Sequence, residues 1–185
     1  MRLTIGHRTS EENLVRARTR SKDTVVSTGL LMVYTGDEKA GTAAVLGQAF
    51  RALGRGLRVC IINFAPGLPL SPELIWPERG RGVMEVHDLN QGPTPNARAR
   101  GKEGYAEPGL RLVKDALTSG RFDMVVLSDI AALTSKTTAK GGRVIDILRS
   151  RPEGLHLLVT GQDVPDEIIA EAHLVTGARA SGALT

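Results

Sequence analysis

Between the apolar run Leu30-Leu31-Met32-Val33-Tyr34 and the small residues Thr42-Ala43-Ala44 lies the stretch Thr35-Gly36-Asp37-Glu38-Lys39-Ala40-Gly41-Thr42. A glycine-bearing turn between a buried strand and a helix is what a phosphate group requires. Backbone N–H groups and the helix N-terminus hold its oxygens, a lysine adds charge, and a Ser/Thr hydroxyl reaches the accompanying magnesium. Only part of that equipment is here. Gly36 and Thr42 stand at the first and last positions of such a turn, but Gly41 stands where the lysine belongs and Ala40 where a glycine belongs. Asp37 and Glu38 bring two carboxylates that repel a triphosphate unless a metal lies between them. Two readings stay open on these residues alone: a phosphate site with altered equipment, or a tight strand-to-helix turn with Thr42 as its cap and no ligand.

A second constellation closes the run Val125-Val126-Leu127-Ser128-Asp129. A serine occupies the first polar position after the apolar residues and a single carboxylate the second. Asp129 either holds Mg²⁺ through water or caps the segment that follows. His7, His87, His156 and His173 have neither metal-ligand spacing nor a cysteine partner, which favours structural roles for each. Cys60, the single cysteine, lies inside Val59-Cys60-Ile61-Ile62 and reads as a core residue, not a nucleophile.

The elements that would position these residues alternate along the chain. Gly29 to Thr35 is a continuous apolar run of the kind a strand buried on both faces shows. A helix from Thr42 to Leu53 follows, stopped by Gly54 and Gly56. Leu57 to Phe64 is a second buried strand, Ala65 to Arg81 a Pro/Gly-rich loop, and Gly82 to Val86 is long enough for a short strand. His87 to Gly104 lacks periodicity and is expected to be a mobile loop. Leu110, Val113, Ala116 and Leu117 have helical spacing, then come a strand at Asp123 to Leu127, a helix at Arg143 to Arg149, and a strand at Leu155 to Val159. A helix at Pro165 to Ala172 leads to Leu174-Val175-Thr176. Strand and helix in alternation imply parallel strands with helices on both faces, a sheet whose ligands bind beyond the carboxyl ends of its strands.

The 185 residues suit one domain, read as residues 28–185, preceded by a basic arm at 1–27 whose helix starts near Ser10-Glu11-Glu12. The hydrophobic share of 41% and charged share of 24% exclude a chain disordered throughout. No apolar run approaches the roughly 18 residues needed to cross a bilayer, no membrane association is expected, and a cytoplasmic location is. The net charge of +4 suits an anionic ligand. A nucleic-acid-binding module would rest on Arg16, Arg18 and Arg20 with Arg98, Arg100 and Lys102, but these have no interleaved aromatics and read as solvated surface.

Several segments in order carry a resemblance. They are Leu31-Met32-Val33-Tyr34-Thr35-Gly36, Thr42-Ala43-Ala44, Gly47 through Arg51-Ala52-Leu53-Gly54-Arg55-Gly56, Val59 to Phe64 with Gly67, Ala106-Glu107 to Leu117, Phe122 to Asp129, and above all Ile147 to Arg179. That last segment contains Arg151-Pro152-Glu153-Gly154-Leu155-His156, Thr160-Gly161 and Ala172-His173-Leu174-Val175-Thr176. From residue 30 to 179 the chain resembles the ATP:corrinoid adenosyltransferases of the CobA/BtuR type. The resemblance implies an α/β domain of P-loop NTPase-like, RecA-like architecture, a parallel sheet flanked by helices, and a homodimer. It also implies transfer of the 5′-deoxyadenosyl group of ATP to the cobalt of a reduced corrinoid, with Mg²⁺ on the phosphates.

Carried over by position, the nucleotide-binding candidates are Gly36, Asp37, Lys39, Gly41, Thr42 and Ala43, and the metal candidates are Thr42 and Asp129. The departures fall where the chemistry would be. The turn lysine is Gly41, the first acidic residue after the fourth strand is Ser128, and the arginine that usually follows Thr160-Gly161 is Gln162. Lys39, Lys136 and Lys140 are the candidates to substitute for lost charge. Trp76, between Pro72 and Pro77, reads as a loop anchor or as a wall of a corrinoid pocket. The implied activity is therefore weak or lost, and the alternative is a non-catalytic relative that binds a nucleotide, a corrinoid or a protein.

Overall fold

A computed structural model of the chain describes residues 28–64, 82–89, 106–134 and 141–179. The basic arm, Trp76, Arg98, Arg100, Lys102, Lys136 and Lys140 lie outside the described residues, as do the proposed loops at 65–81 and 90–104. Six parallel strands form one sheet in the order β3-β2-β4-β5-β1-β6. They are β1 (Leu31–Gly36), β2 (Arg58–Asn63), β3 (Val83–Asp88), β4 (Met124–Ser128), β5 (His156–Gly161) and β6 (Leu174–Ala178). The α/β parallel-sheet architecture read from the sequence is the one observed. β1 is an interior strand, paired with β5 on one side and β6 on the other.

The helices are α1 (Glu38–Gly54), α2 (Ala106–Thr118), α3 (Ala131–Thr134), α4 (Gly141–Arg149) and α5 (Asp166–Ala170). Each strand sends alternate residues to opposite faces, and the two faces have separate cores. Val45, Ala49, Ala52 and Leu53 of α1 pack on Met32, Tyr34, Val59, Ile61, Val126 and Leu158. Leu110, Val113 and Leu117 of α2, Val144 and Leu148 of α4, and Ile168 of α5 pack on Leu31, Val33, Ile62, Val125, Leu127 and Val159. With few aromatics, both cores are built from aliphatic side chains, and Cys60 is buried in the second of them.

Most boundaries shift by one or two residues from the sequence reading, and three differences matter more. α1 begins at Glu38, not Thr42, because Asp37 caps it and Glu38, Lys39 and Ala40 favour helix. The turn is thereby reduced to Asp37, and Gly36 to Thr42 does not wrap the helix as an open loop. β3 runs on through His87 and Asp88, which pair with Ile62 and Asn63, so these two residues belong to the sheet and not to the following loop. The final helix is shorter than Pro165 to Ala172, with Pro165 as its N-cap and Glu171 as its C-cap.

The amino end of β1 is held by Glu153, His156 and His173. The Gly29 N–H donates to the Glu153 carbonyl, and a side chain at Gly29 would collide with the Leu155 carbonyl oxygen. The Leu30 N–H donates to Nδ1 of His156 at 3.2 Å and the Leu31 N–H to Nδ1 of His173 at 3.0 Å. Both histidines are structural, as their spacing suggested.

Candidate functional site

At the carboxyl edge of the sheet the apolar strands end in polar residues at one level. Asp88 of β3 pairs with Asn63 of β2, which pairs with Ser128 of β4. One step beyond the pair Leu127 and Val159, Ser128 stands beside Thr160 of β5. Thr160 pairs with Tyr34 of β1, and Tyr34 with Thr176 of β6. Residues in register share a face, and Tyr34 packs with Val45 and Ala49 of α1, so this row lies on the α1-facing side of the sheet, with Tyr34 and Thr160 beneath the first turn of α1. Asn63, Ser128 and Thr160 are almost fully buried.

Above the row sits the first turn of α1. The Asp37 carboxylate accepts from the Ala40 N–H at 2.8 Å, so the chain's own anion satisfies a donor that a phosphate would otherwise use. Gly36 has φ of 100°, and a Cβ there would collide with the Ala178 carbonyl oxygen, to which the Asp37 N–H donates at 2.9 Å. Close approach of β6 thus accounts for that glycine. Gly41 and Thr42 are buried against the sheet, whereas Lys39 and Ala43 are exposed. The structure therefore buries Gly41 and Thr42 against the sheet, Gly41 facing Thr160 and Tyr34, and sets Lys39 and Ala43 on the solvent side.

A Cβ placed on Gly41 would lie 3.7 Å from the Thr160 Cβ and 3.8 Å from that of Tyr34, ordinary contact that leaves room for a side-chain stem. The hydroxyls Thr42 Oγ1 and Ser128 Oγ are buried and have no hydrogen-bond partner. Asp129 is half-buried with φ of 58°, a left-handed conformation that a non-glycine residue adopts at a cost. Thr160 holds that turn twice. Its Oγ1 accepts from the Asp129 N–H at 3.0 Å and its carbonyl from the Ile130 N–H at 2.8 Å.

Sequence reasoning missed Asn63, Asp88 and Thr160 as members of this edge. A signal was present, since the apolar runs of β1, β2, β4 and β5 each close on Tyr, Asn, Ser or Thr. Among the described residues no group of three or more His, Cys, Asp or Glu is placed to hold a metal ion, and no helix is long and apolar enough to cross a membrane. Burial pushes the Cys60 thiol up to about 12, which leaves it protonated and unreactive.

An all-parallel sheet with a capped helix rising from the end of an interior strand defines an α/β domain consistent with P-loop NTPase-like architecture. Residues 27–181 match the family model described as ATP:corrinoid adenosyltransferase BtuR/CobO/CobP, and the chain belongs to that family. Relatives include the corrinoid adenosyltransferase CobA of Salmonella typhimurium, 28% identical over 161 residues, covering 82% of this chain and 76% of that protein. The corrinoid adenosyltransferase of Pseudomonas aeruginosa is 26% identical over 149 residues, covering 80% of this chain and 73% of its own length. That of Escherichia coli is 26% identical over 157 residues, with 82% and 76% covered.

Proposed function

We propose that this chain acts on ATP and a reduced corrinoid at the carboxyl edge of its sheet, transferring the 5′-deoxyadenosyl group slowly because its hold on the triphosphate is weak. In that reaction cobalt(I) supplies the electron pair of the new cobalt–carbon bond to C5′. The C5′–oxygen bond breaks and triphosphate leaves with its electrons. The observation that carries the reading is the placement of the first turn of α1 at the carboxyl edge of the sheet, with Gly41 facing Tyr34 of β1 and Thr160 of β5, in a chain of this family.

Gly36, Asp37, Gly41, Thr42 and Ala43 would lie along the triphosphate, with the first free N–H groups of α1 as donors and Lys39 as the nearby cation. Magnesium would arrive on the nucleotide and screen the phosphate charge. Mg²⁺ takes an octahedral shell of oxygens in which carboxylates and phosphates offset its charge; Thr42 would offer it a hydroxyl, and Asp129, half-buried and next to Ser128, a carboxylate.

A second reading, a non-catalytic relative that binds nucleotide or corrinoid, is favoured by the Asp37 carboxylate on the Ala40 N–H. Anaerobic mixing with chemically reduced cobalamin and ATP, following the loss of the cobalt(I) absorbance, separates the two. Each missing charge-stabilising group lowers a rate on the order of 10²–10³. Transfer well below that of the Salmonella typhimurium relative but above the ATP-free control is the expected result. No transfer at saturating ATP selects the second reading, and transfer as fast as the relative's contradicts the weak hold.

A further inference from the structure

The pairing of β4 with β5 runs to Leu127 and Val159, β4 ends at Ser128, and the chain turns at Asp129. Its φ of 58° is the one left-handed φ of a non-glycine residue among the described residues. Such a conformation persists only where neighbouring groups hold it. Thr160 of β5 supplies that hold through two bonds: its carbonyl accepts from the Ile130 N–H at 2.8 Å, and its Oγ1 from the Asp129 N–H at 3.0 Å. The two bonds have different tasks. Ile130 is fully buried in the core shared with α2 and α4, so its side chain and the carbonyl bond together direct the chain into α3. The hydroxyl bond acts on Asp129 alone, a half-buried residue at the carboxyl edge. Thr160 also lies under the first turn of α1, where a Cβ on Gly41 would stand 3.7 Å from the Thr160 Cβ. One buried residue thus touches both the Asp129 turn and the start of α1.

We propose that Thr160 is a positioning residue, whose hydroxyl fixes the Asp129 turn relative to the first turn of α1 and so sets the magnesium requirement of ATP binding. The assignment rests on the nucleotide reading above. Among the carboxylates of this edge, Asp37 caps α1 and Asp88 stands on β3, at the far end of the row from β1. Asp129 is the one that shares Thr160 as a neighbour with Gly41. A carboxylate serves a metal ion well only when a second group holds it in place, and removal of such a group typically lowers metal affinity roughly 10–100-fold. Without the Thr160 hydroxyl, the Asp129 N–H is left to water and the left-handed turn loses one of its two ties to β5.

Calorimetric titration with ATP, in EDTA and over a range of magnesium concentrations, compares the wild type with Thr160→Val, Thr160→Ser, Asp129→Asn and the double variant of Thr160→Val with Asp129→Asn. Valine keeps the branching and volume of threonine and the backbone carbonyl, and removes only the hydroxyl. Asparagine tolerates the left-handed turn and removes only the charge. The wild type is expected to bind ATP more tightly in magnesium than in EDTA. Thr160→Val is expected to need roughly tenfold more magnesium for the same ATP affinity, with its affinity in EDTA unchanged, and Thr160→Ser to match the wild type. Once residue 129 is asparagine, the valine is expected to have no further effect. An unchanged magnesium requirement in Thr160→Val, an equal loss in magnesium and in EDTA, a serine variant that behaves like valine, or effects that add in the double variant each overturn the assignment. So does a wild type whose ATP affinity ignores magnesium. No ATP binding by the wild type overturns the proposed function and the assignment together. If Thr160→Val does not fold, amide exchange in the wild type decides: magnesium added to the ATP complex is expected to slow exchange of the Asp129 N–H, and no slowing overturns the assignment.

Discussion

Arg58 and Asp123 tie the amino ends of β2 and β4 together. The guanidinium donates from Nη2 to Asp123 Oδ1 at 2.7 Å and from Nε to Oδ2 at 3.1 Å, and the Arg58 N–H reaches Oδ2 at 2.8 Å. Burial alone would raise the Asp123 carboxyl, but the hydrogen bonds and charge of Arg58 outweigh it and hold the carboxyl below its usual range. A carboxyl depressed in the folded state contributes stability that is present above its unfolded value, near about 3.9, and is lost as pH falls through the folded value. Asp123→Asn is therefore expected to lower stability at pH 7 and to flatten the loss of stability below about pH 4. Both side chains are about a third or more exposed, so screening keeps the ion-pair part under about 1 kcal/mol. Urea unfolding of both proteins at pH 7 and pH 3 checks this, and equal acid sensitivity would contradict it.

At the same scale the sequence was legible where one residue type has one good place. Cys60 within Val59-Cys60-Ile61-Ile62 reads as buried, and it is. Histidines without ligand spacing read as structural, and His156 and His173 accept backbone N–H bonds at β1. Thr160 was not legible as the residue that holds Asp129. That role depends on a hydrogen bond spanning 31 residues and on the left-handed backbone at 129.

At the scale of elements, the order of strands and helices follows from apolar runs and glycine stops, while their ends do not. The start of α1 illustrates the reason. Asp37 and Glu38 are carboxylates that would repel phosphate, yet the same Asp37 is also a good N-cap, and in the folded chain the cap prevails. The carboxyl end of β3 depends on its pairing with β2, a non-local contact that the local residues do not encode. Asp37→Ala is expected to destabilise the protein by about 1 kcal/mol through loss of the cap, and Asp37→Asn by less because asparagine caps as well. Equal stability of Asp37→Ala and wild type in urea melts would mean that the cap contributes nothing.

At the scale of the molecule, one helix covers one face of the sheet and α2, α4 and α5 cover the other, among the described residues. Residues 147–179 supply β5 and β6, anchor the amino end of β1 and reach the carboxyl edge at Thr160 and Thr176. Gly41, Ser128 and Gln162 lie in the first turn of α1, at the end of β4 and just after β5. The row from Asp88 to Thr176 was beyond sequence reasoning because it needs the registers of six strands at once.

Hydrogen–deuterium exchange with and without millimolar ATP tests most directly whether the carboxyl edge beneath α1 is the nucleotide site. Slower exchange is expected in peptides covering residues 34–45, 128–134 and 160–164, with no change at residues 28–30 or 153–156 near the amino end of β1. Slowing that spares residues 34–45 and 128–134, or that centres on the amino end of the sheet, would contradict the account.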